Sequence, residues 1–254
     1  MAQEKSKPFV LGTTEELWSA QLSEKRILNV YLPDEYTKNK DKTYPVIYLL
    51  DGSADEDFIH ICGIVQFLTM IEAMPPTIVV GIANIDRRRD FTFPTSIDSD
   101  KKAYPTTGGS GKFISFLEKD LQPFINKKYR VNTLTTIIGQ SLGGLLASEV
   151  LLRKPALFGT YIIVSPSLWW DNESLLKKAP GLLKIPNQST TVYITVGNEE
   201  QKMVDDAKNF NAILQAPMSF SLTSYYTQLP EEDHLTILHN AVYKAFVKLY
   251  AKRK

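Results

Sequence analysis

Short, almost wholly apolar runs alternate along this chain with longer segments whose apolar residues recur at helical spacing, an order that few folds accommodate. The runs at 46–50, 78–83, 135–138, 161–164 and 191–196 are rich in Val, Ile and Leu and have strand length. A strand that is apolar on both faces needs cover on both, and a mostly parallel sheet flanked by helices supplies it. Between these runs, 58–74, 111–129, 142–153, 201–214 and 235–251 read as helices, and Pro123 is predicted to kink or restart the second of them. Residues 26–32 alternate with period two and stop at Pro33, as a half-exposed strand near a sheet edge does. A last strand is expected over 219–228. The expected fold class is therefore α/β, a mostly parallel central sheet with helices on both faces.

The chain has 254 residues, enough for one large core, and no internal boundary divides it, so 1–254 is read as a single domain. Its 29 Lys and Arg balance 28 Asp and Glu, which leaves no long-range field for nucleic acid or an anionic membrane. Cys62 is the one cysteine, so an intramolecular disulfide and a cysteine zinc site are both excluded. The longest apolar runs have strand length, and no membrane span is predicted. The opening residues Met1 to Lys5 lack a signal-type apolar region; the compartment stays open between cytoplasmic and, where a leader has been removed, periplasmic or secreted. Residues 86–109 form a long polar insertion, a kind of loop that often carries function.

Chemistry concentrates at Gly139-Gln140-Ser141-Leu142-Gly143, where Gly-x-Ser-x-Gly falls between a predicted strand and a predicted helix. A serine there sits on a tight, strained turn, and the flanking glycines remove side chains that would collide. The helix that follows aims its free N–H groups at a forming oxyanion, with Leu142 N–H as the direct donor. The bland alternative is a close strand–helix turn with Ser141 as a plain helix cap; legible elements on both sides weigh against it.

A serine nucleophile needs a base, and the chain offers three histidines. In a serine, acid, histidine chain order the base lies in a loop past the last strand, where only His234 stands. His239 falls inside the terminal helix, and His60, near the catalytic end of the first central strand, is a candidate substrate contact. The acid is expected just after the strand 191–196, with Glu200 chosen ahead of Glu199 and Asp205 third. Two adjacent glutamates at a helix start also suit the helix dipole. Ser53 N–H, after the Gly turn that ends the strand 46–50, is the expected second oxyanion donor. The acidic run Asp55, Glu56 and Asp57 is read as a helix-start cluster; no metal and no cofactor is called for.

Taken together, Val30-Tyr31-Leu32-Pro33, Tyr48-Leu49-Leu50-Asp51-Gly52, Arg89-Asp90-Phe91-Thr92, the serine motif through Gly144, and Ser165-Pro166-Ser167-Leu168-Trp169-Trp170 resemble an esterase family within the α/β-hydrolases. That family includes siderophore esterases, feruloyl and acetyl xylan esterases, S-formylglutathione hydrolases and mycolyltransferases. The matching pieces extend from about residue 25 to His234 and look most like the siderophore-esterase branch. The resemblance implies Ser141 and His234 as the catalytic pair, the Ser53 and Leu142 amides as oxyanion hole, and an open cleft without a large lid domain. Some members of that branch work without a well-placed acid, so the acid is left to the local sequence.

Trp169 and Trp170 are expected to wall a pocket, with at least one facing it because neighbours alternate. Arg89, within 87–89, is a candidate contact for an acidic or catecholate substrate, set against a salt bridge to Asp90 that orders the insertion. The expected activity is hydrolysis of a small-molecule carboxylic ester through an acyl-enzyme. Acyl transfer to an alcohol, or a non-catalytic binding protein of the same fold, are the alternatives, and the oligomeric state is unknown.

Overall fold

A computed structural model describes residues 6–184, 188–216 and 221–251. Its eight strands form one sheet in the order β1-β2-β4-β3-β5-β6-β7-β8. They are β1 (Thr13–Ser19), β2 (Glu24–Tyr31), β3 (Tyr44–Leu49), β4 (Ile78–Ile82), β5 (Val131–Gln140), β6 (Thr160–Val164), β7 (Thr190–Val196) and β8 (Leu222–Gln228). β1 and β2 pair antiparallel, as do β2 and β4; every later pairing, from β3–β4 to β7–β8, is parallel. This is the α/β-hydrolase arrangement.

The helices are α1 (Phe58–Met70), α2 (Arg87–Phe91), α3 (Asp98–Ala103), α4 (Ser110–Phe116), α5 (Gln122–Lys128), α6 (Leu142–Arg153), α7 (Trp170–Leu182), α8 (Gln201–Gln215) and α9 (Ile237–Tyr250). Alternate strand residues feed two cores. Val46, Tyr48 and Ile137 pack with α4, α6 and α8, while Ile47, Leu49 and Ile138 pack with α1 and α9. Among the described residues no helix is long and apolar enough to cross a membrane.

The structure departs from the expectations where local signals are weak. β2 does lie near the sheet edge, next to the edge strand β1, but it is mostly buried between β1 and β4 rather than half-exposed. At Pro123 the helix restarts, as expected, but through a π-helical stretch: Leu117–Leu121 widens the backbone after α4, and α5 resumes with the proline in its first turn. The polar insertion contains α2 and α3 and is tied to β2 through Arg26, fully buried, whose guanidinium meets Asp90 at 2.7 Å. The expected start of the last strand at 219 and the opening residues 1–5 lie outside the described residues.

Candidate active site

The parallel strands deliver their C-terminal ends to one edge of the sheet, which is where open α/β sheets bind ligands. At the end of β5, Ser141 takes φ 59° and ψ −120°, left-handed values that cost a non-glycine residue about 1–3 kcal/mol. The turn is held from three sides. Ser141 N–H donates to Val164 O at 3.0 Å, and its carbonyl accepts from Leu145 N–H at 2.9 Å and Ser167 N–H at 3.0 Å. A Cβ on Gly139 would lie 2.4 Å from Gly143 O, so only glycine lets the strand and α6 approach this closely. The first N–H groups of α6, Leu142 among them, have no acceptor within their own helix and lie beside the serine.

His234 lies in the loop between β8 and α9. Asp233 closes the turn that precedes α9, its Oδ1 accepting from Leu235 N–H at 2.8 Å and Thr236 N–H at 3.1 Å, which fixes the backbone beside the histidine. Asn198 N–H donates to Glu232 O at 2.7 Å, and the Gln140 side-chain amide donates to His234 O. The histidine loop is thereby tied to the loop after β7 and to the serine turn itself.

The imidazole's partner is Glu199, whose Oε2 lies 2.8 Å from His234 Nδ1. This corrects the expectation of Glu200. In the turn after β7, Glu199 bends inward, where Gly197 N–H (3.2 Å) and the Ser165 hydroxyl both donate to its Oε1. Glu200 is the cap residue of α8 and meets the cleft without bonding the imidazole. Asp205, the third choice, lies on α8 bonded to Gln201 at 2.9 Å. Burial pushes the Glu199 carboxyl up, but the hydrogen bonds from His234 and Ser165 outweigh it and hold its pKa below the ordinary range. Its side chain is 4% exposed against 37% for His234, so the acid is enclosed while the imidazole reaches the solvent edge.

Two lobes of the cleft meet at Ser141 and His234. One, of about 430 Å³, is lined by Ser167, Trp169, Met203 and Leu235. The other, of about 380 Å³, is lined by Asp51, Glu56, Asp57 and Arg87. A larger cleft of about 740 Å³, lined by Tyr31, Met74 and Tyr250 among others, contains neither the serine nor the histidine and lies by the start of β4, at the opposite end of the sheet. In the charged lobe Arg87 Nε and Nη2 grip the two Asp51 oxygens at 2.6 and 2.9 Å, and Nη2 also reaches Gln140 O at 3.3 Å. Burial disfavours the Arg87 charge, yet its bonds to Asp51 raise its pKa above the ordinary value.

Other expected contacts are redistributed. Arg89 does not line either lobe; it pairs with Asp90 at 2.8 Å and Glu24 at 2.6 Å, anchoring the insertion, and Arg87 takes the cleft position. Trp169 lines the cleft, but Trp170 is fully buried with its indole N–H donating to Phe93 O at 2.9 Å. His60 lines neither lobe; its ring bonds Asp57 (3.2 Å), at the margin of the charged lobe, and His239 (3.4 Å). Ser53 N–H is bonded to Glu56 Oε2 at 3.3 Å, a local capping contact that has to open before this amide can meet a substrate oxygen. Among the described residues, the Ser141 hydroxyl bonds Ser167 Oγ at 3.3 Å, not the imidazole. Gln140, Ser165 and Ser167 went unassigned by reasoning from sequence, and Arg87 was read only as part of the 87–89 arginine run. A strand end followed by two serines around a proline was the available signal for the serine pair.

Residues 19–241 match the family model described as "Putative esterase". The chain belongs to this esterase family. The esterase is 30% identical to the ferri-bacillibactin esterase BesA of Bacillus subtilis (strain 168), over 94% of this chain and 90% of that protein. Among solved structures, an IroE-like serine hydrolase from Shewanella oneidensis matches with a TM-score of 0.85 at 29% identity, covering 94% of this chain and 80% of the other. The BES protein from Bacillus cereus matches with a TM-score of 0.84 at 27% identity, covering 97% and 98%. The activity of this esterase is carboxylic ester hydrolysis.

Proposed function

We propose that this esterase hydrolyses siderophore esters through an acyl-enzyme on Ser141. The Ser141 hydroxyl turns from Ser167 toward His234, and Oγ attacks the ester carbonyl as the imidazole Nε2 takes its proton. Glu199 holds the other ring nitrogen and stabilises the imidazolium. The Leu142 N–H receives the oxyanion, joined by Ser53 N–H once Glu56 releases it. The alcohol leaves with the proton from His234, and water repeats the cycle on the acyl-enzyme. One observation carries this reading: a carboxylate bonded at 2.8 Å to a histidine that shares a cleft with a serine on a strained strand–helix turn.

The similarity to a ferri-bacillibactin esterase supports the substrate class, and Trp169, Met203 and Leu235 offer apolar surface suited to an aromatic ring. A fluorophosphonate probe is expected to label Ser141, read by peptide mass spectrometry, and Ser141→Ala is expected to lose both labelling and turnover. Folded native protein that resists the probe defeats the mechanism. On a panel of siderophore lactones, feruloyl esters and acetylated sugars, the highest kcat/KM is expected for the lactones; a preference for sugar acetates defeats the substrate assignment alone.

A further inference from the structure

Ser167 is 2% exposed, and among the described residues its hydroxyl has one hydrogen-bond partner, the Ser141 hydroxyl at 3.3 Å. A buried hydroxyl needs a partner, and here that partner is the reacting atom. The placement is rigid. Ser167 N–H donates to Ser141 O at 3.0 Å, Trp170 N–H donates to Ser167 O at 3.1 Å, and Leu168 N–H donates to Pro166 O at 2.8 Å. Pro166 presses on the start of α6 so closely that a Cβ on Gly144 would lie 2.9 Å from its Cα. The other serine of the turn, Ser165, sits at φ 42° with its hydroxyl on Glu199, so one short turn reaches both the acid and the nucleophile.

We infer that Ser167 is a catalytic residue whose hydroxyl donates to Ser141 Oγ and acts chiefly in deacylation. This rests on Ser141 being the nucleophile. In the resting molecule either hydroxyl can donate. Once the Ser141 proton points to His234, Oγ can only accept from Ser167. In the acyl-enzyme Oγ is an ester oxygen and a weak acceptor. Water then adds to the acyl carbon, giving its proton to His234. As the tetrahedral intermediate collapses, the carbon–Oγ bond breaks, its electron pair passes to Oγ, and the imidazolium proton follows. Ser167 keeps its own proton throughout and hydrogen-bonds the charge that builds on Oγ. The bond is therefore stronger in that transition state than in the acyl-enzyme before it, the condition for catalysis.

The test uses p-nitrophenyl acetate, whose good leaving group makes acylation fast. For Ser167→Ala, kcat is expected to fall about 10- to 100-fold, the range for a hydrogen bond to a charged atom. KM is expected to fall with it, leaving kcat/KM within about threefold of native. Intact mass spectrometry during turnover is expected to find Ser141 mostly acetylated. A general loss of site structure would instead lower kcat/KM at constant KM with no acetyl-enzyme, and that result, or native kcat, overturns the inference. Ser167→Cys keeps the size with a weaker donor and carries the same readouts if the alanine variant does not fold. Fluorophosphonate labelling of native Ser141 separates the outcomes: labelled native protein with an unaffected Ser167→Ala sinks this role alone, whereas unlabelled native protein sinks the nucleophile itself.

Discussion

The two lobes that meet at Ser141 are built in opposite ways. On one side Arg87 grips Asp51, Asn84 donates to both Asp51 and Glu56, and Glu56 also accepts from Ser53 N–H, so these charges already have partners. On the other, Trp169, Met203 and Leu235 present surface around Ser167 and the Glu199–His234 pair. Charges committed to each other give a substrate little, because drawing one away leaves its partner stranded. The charged lobe therefore works as scaffold, with Arg87 bracing Gln140 and, through that side chain, the histidine loop. The apolar lobe is the side on which the proposed binding and chemistry meet.

The contrast can be broken at several points. The largest effect is expected from Glu199→Gln, which keeps the shape but removes the charge; kcat should fall about 10³- to 10⁴-fold, as for acids in comparable triads, while Glu200→Gln stays near native in the same assay. Arg87→Met leaves Asp51 without its cation and should lower the denaturant-derived stability by about 2 kcal/mol, less than for a fully enclosed pair because a third of Arg87 is exposed. If Arg87→Met instead raised KM at unchanged stability, the charged lobe would be a binding surface. Trp169→Ala is expected to raise KM for an aromatic ester by about tenfold with little change in kcat, measured by steady-state kinetics. An unchanged KM would remove the apolar lobe from substrate binding.

The smallest effect concerns how the tryptophan wall is held. Asp171, Asn172 and Glu173 follow Trp170 at φ 50°, 51° and 59°, a left-handed turn that costs each residue about 1–2 kcal/mol. Asp171 offsets this by accepting from Thr95 Oγ1 at 2.9 Å and Ser96 N–H at 2.7 Å, joining the wall to the insertion. Burial raises its carboxyl pKa, but the nearby Ser174 hydroxyl and these bonds outweigh it and hold it down at about 2. A pKa lowered by folding stabilises the protein above the unfolded value and loses that contribution as pH falls toward the folded one. Asp171→Asn should therefore cost about 1 kcal/mol at neutral pH, and the difference should fade between about pH 4 and pH 2 in thermal melts. A difference that persists at the acid end would place the effect in the turn geometry.

The mostly parallel sheet and the serine turn were legible because each depends on a repeating or local pattern. The central runs are apolar on both faces, and Gly139 and Gly143 flank Ser141 where a strand hands over to a helix. His234 was legible by elimination among three histidines. The insertion was not: α2 and α3 are too short for periodicity, and what orders them are contacts from far away in sequence, Arg26 on Asp90 of α2 and the Asp171 N–H on Asp100 of α3. The edge strand β1 was missed for a related reason, since its partly exposed residues carry no buried run.

By itself the amino-acid order determined the layers of the fold, the strained serine turn and the loop that brings a histidine to the same cleft. Tertiary structure decided between neighbours: Glu199 rather than Glu200 at the imidazole, Trp169 rather than Trp170 in the cleft, Arg87 rather than Arg89 beside the serine. The physical reason is common to all three. Adjacent or nearly adjacent side chains leave the backbone in different directions, and which one points inward depends on the φ and ψ of a turn set by distant contacts, such as the Ser165 hydroxyl and Gly197 N–H on Glu199 or the Phe93 carbonyl on Trp170.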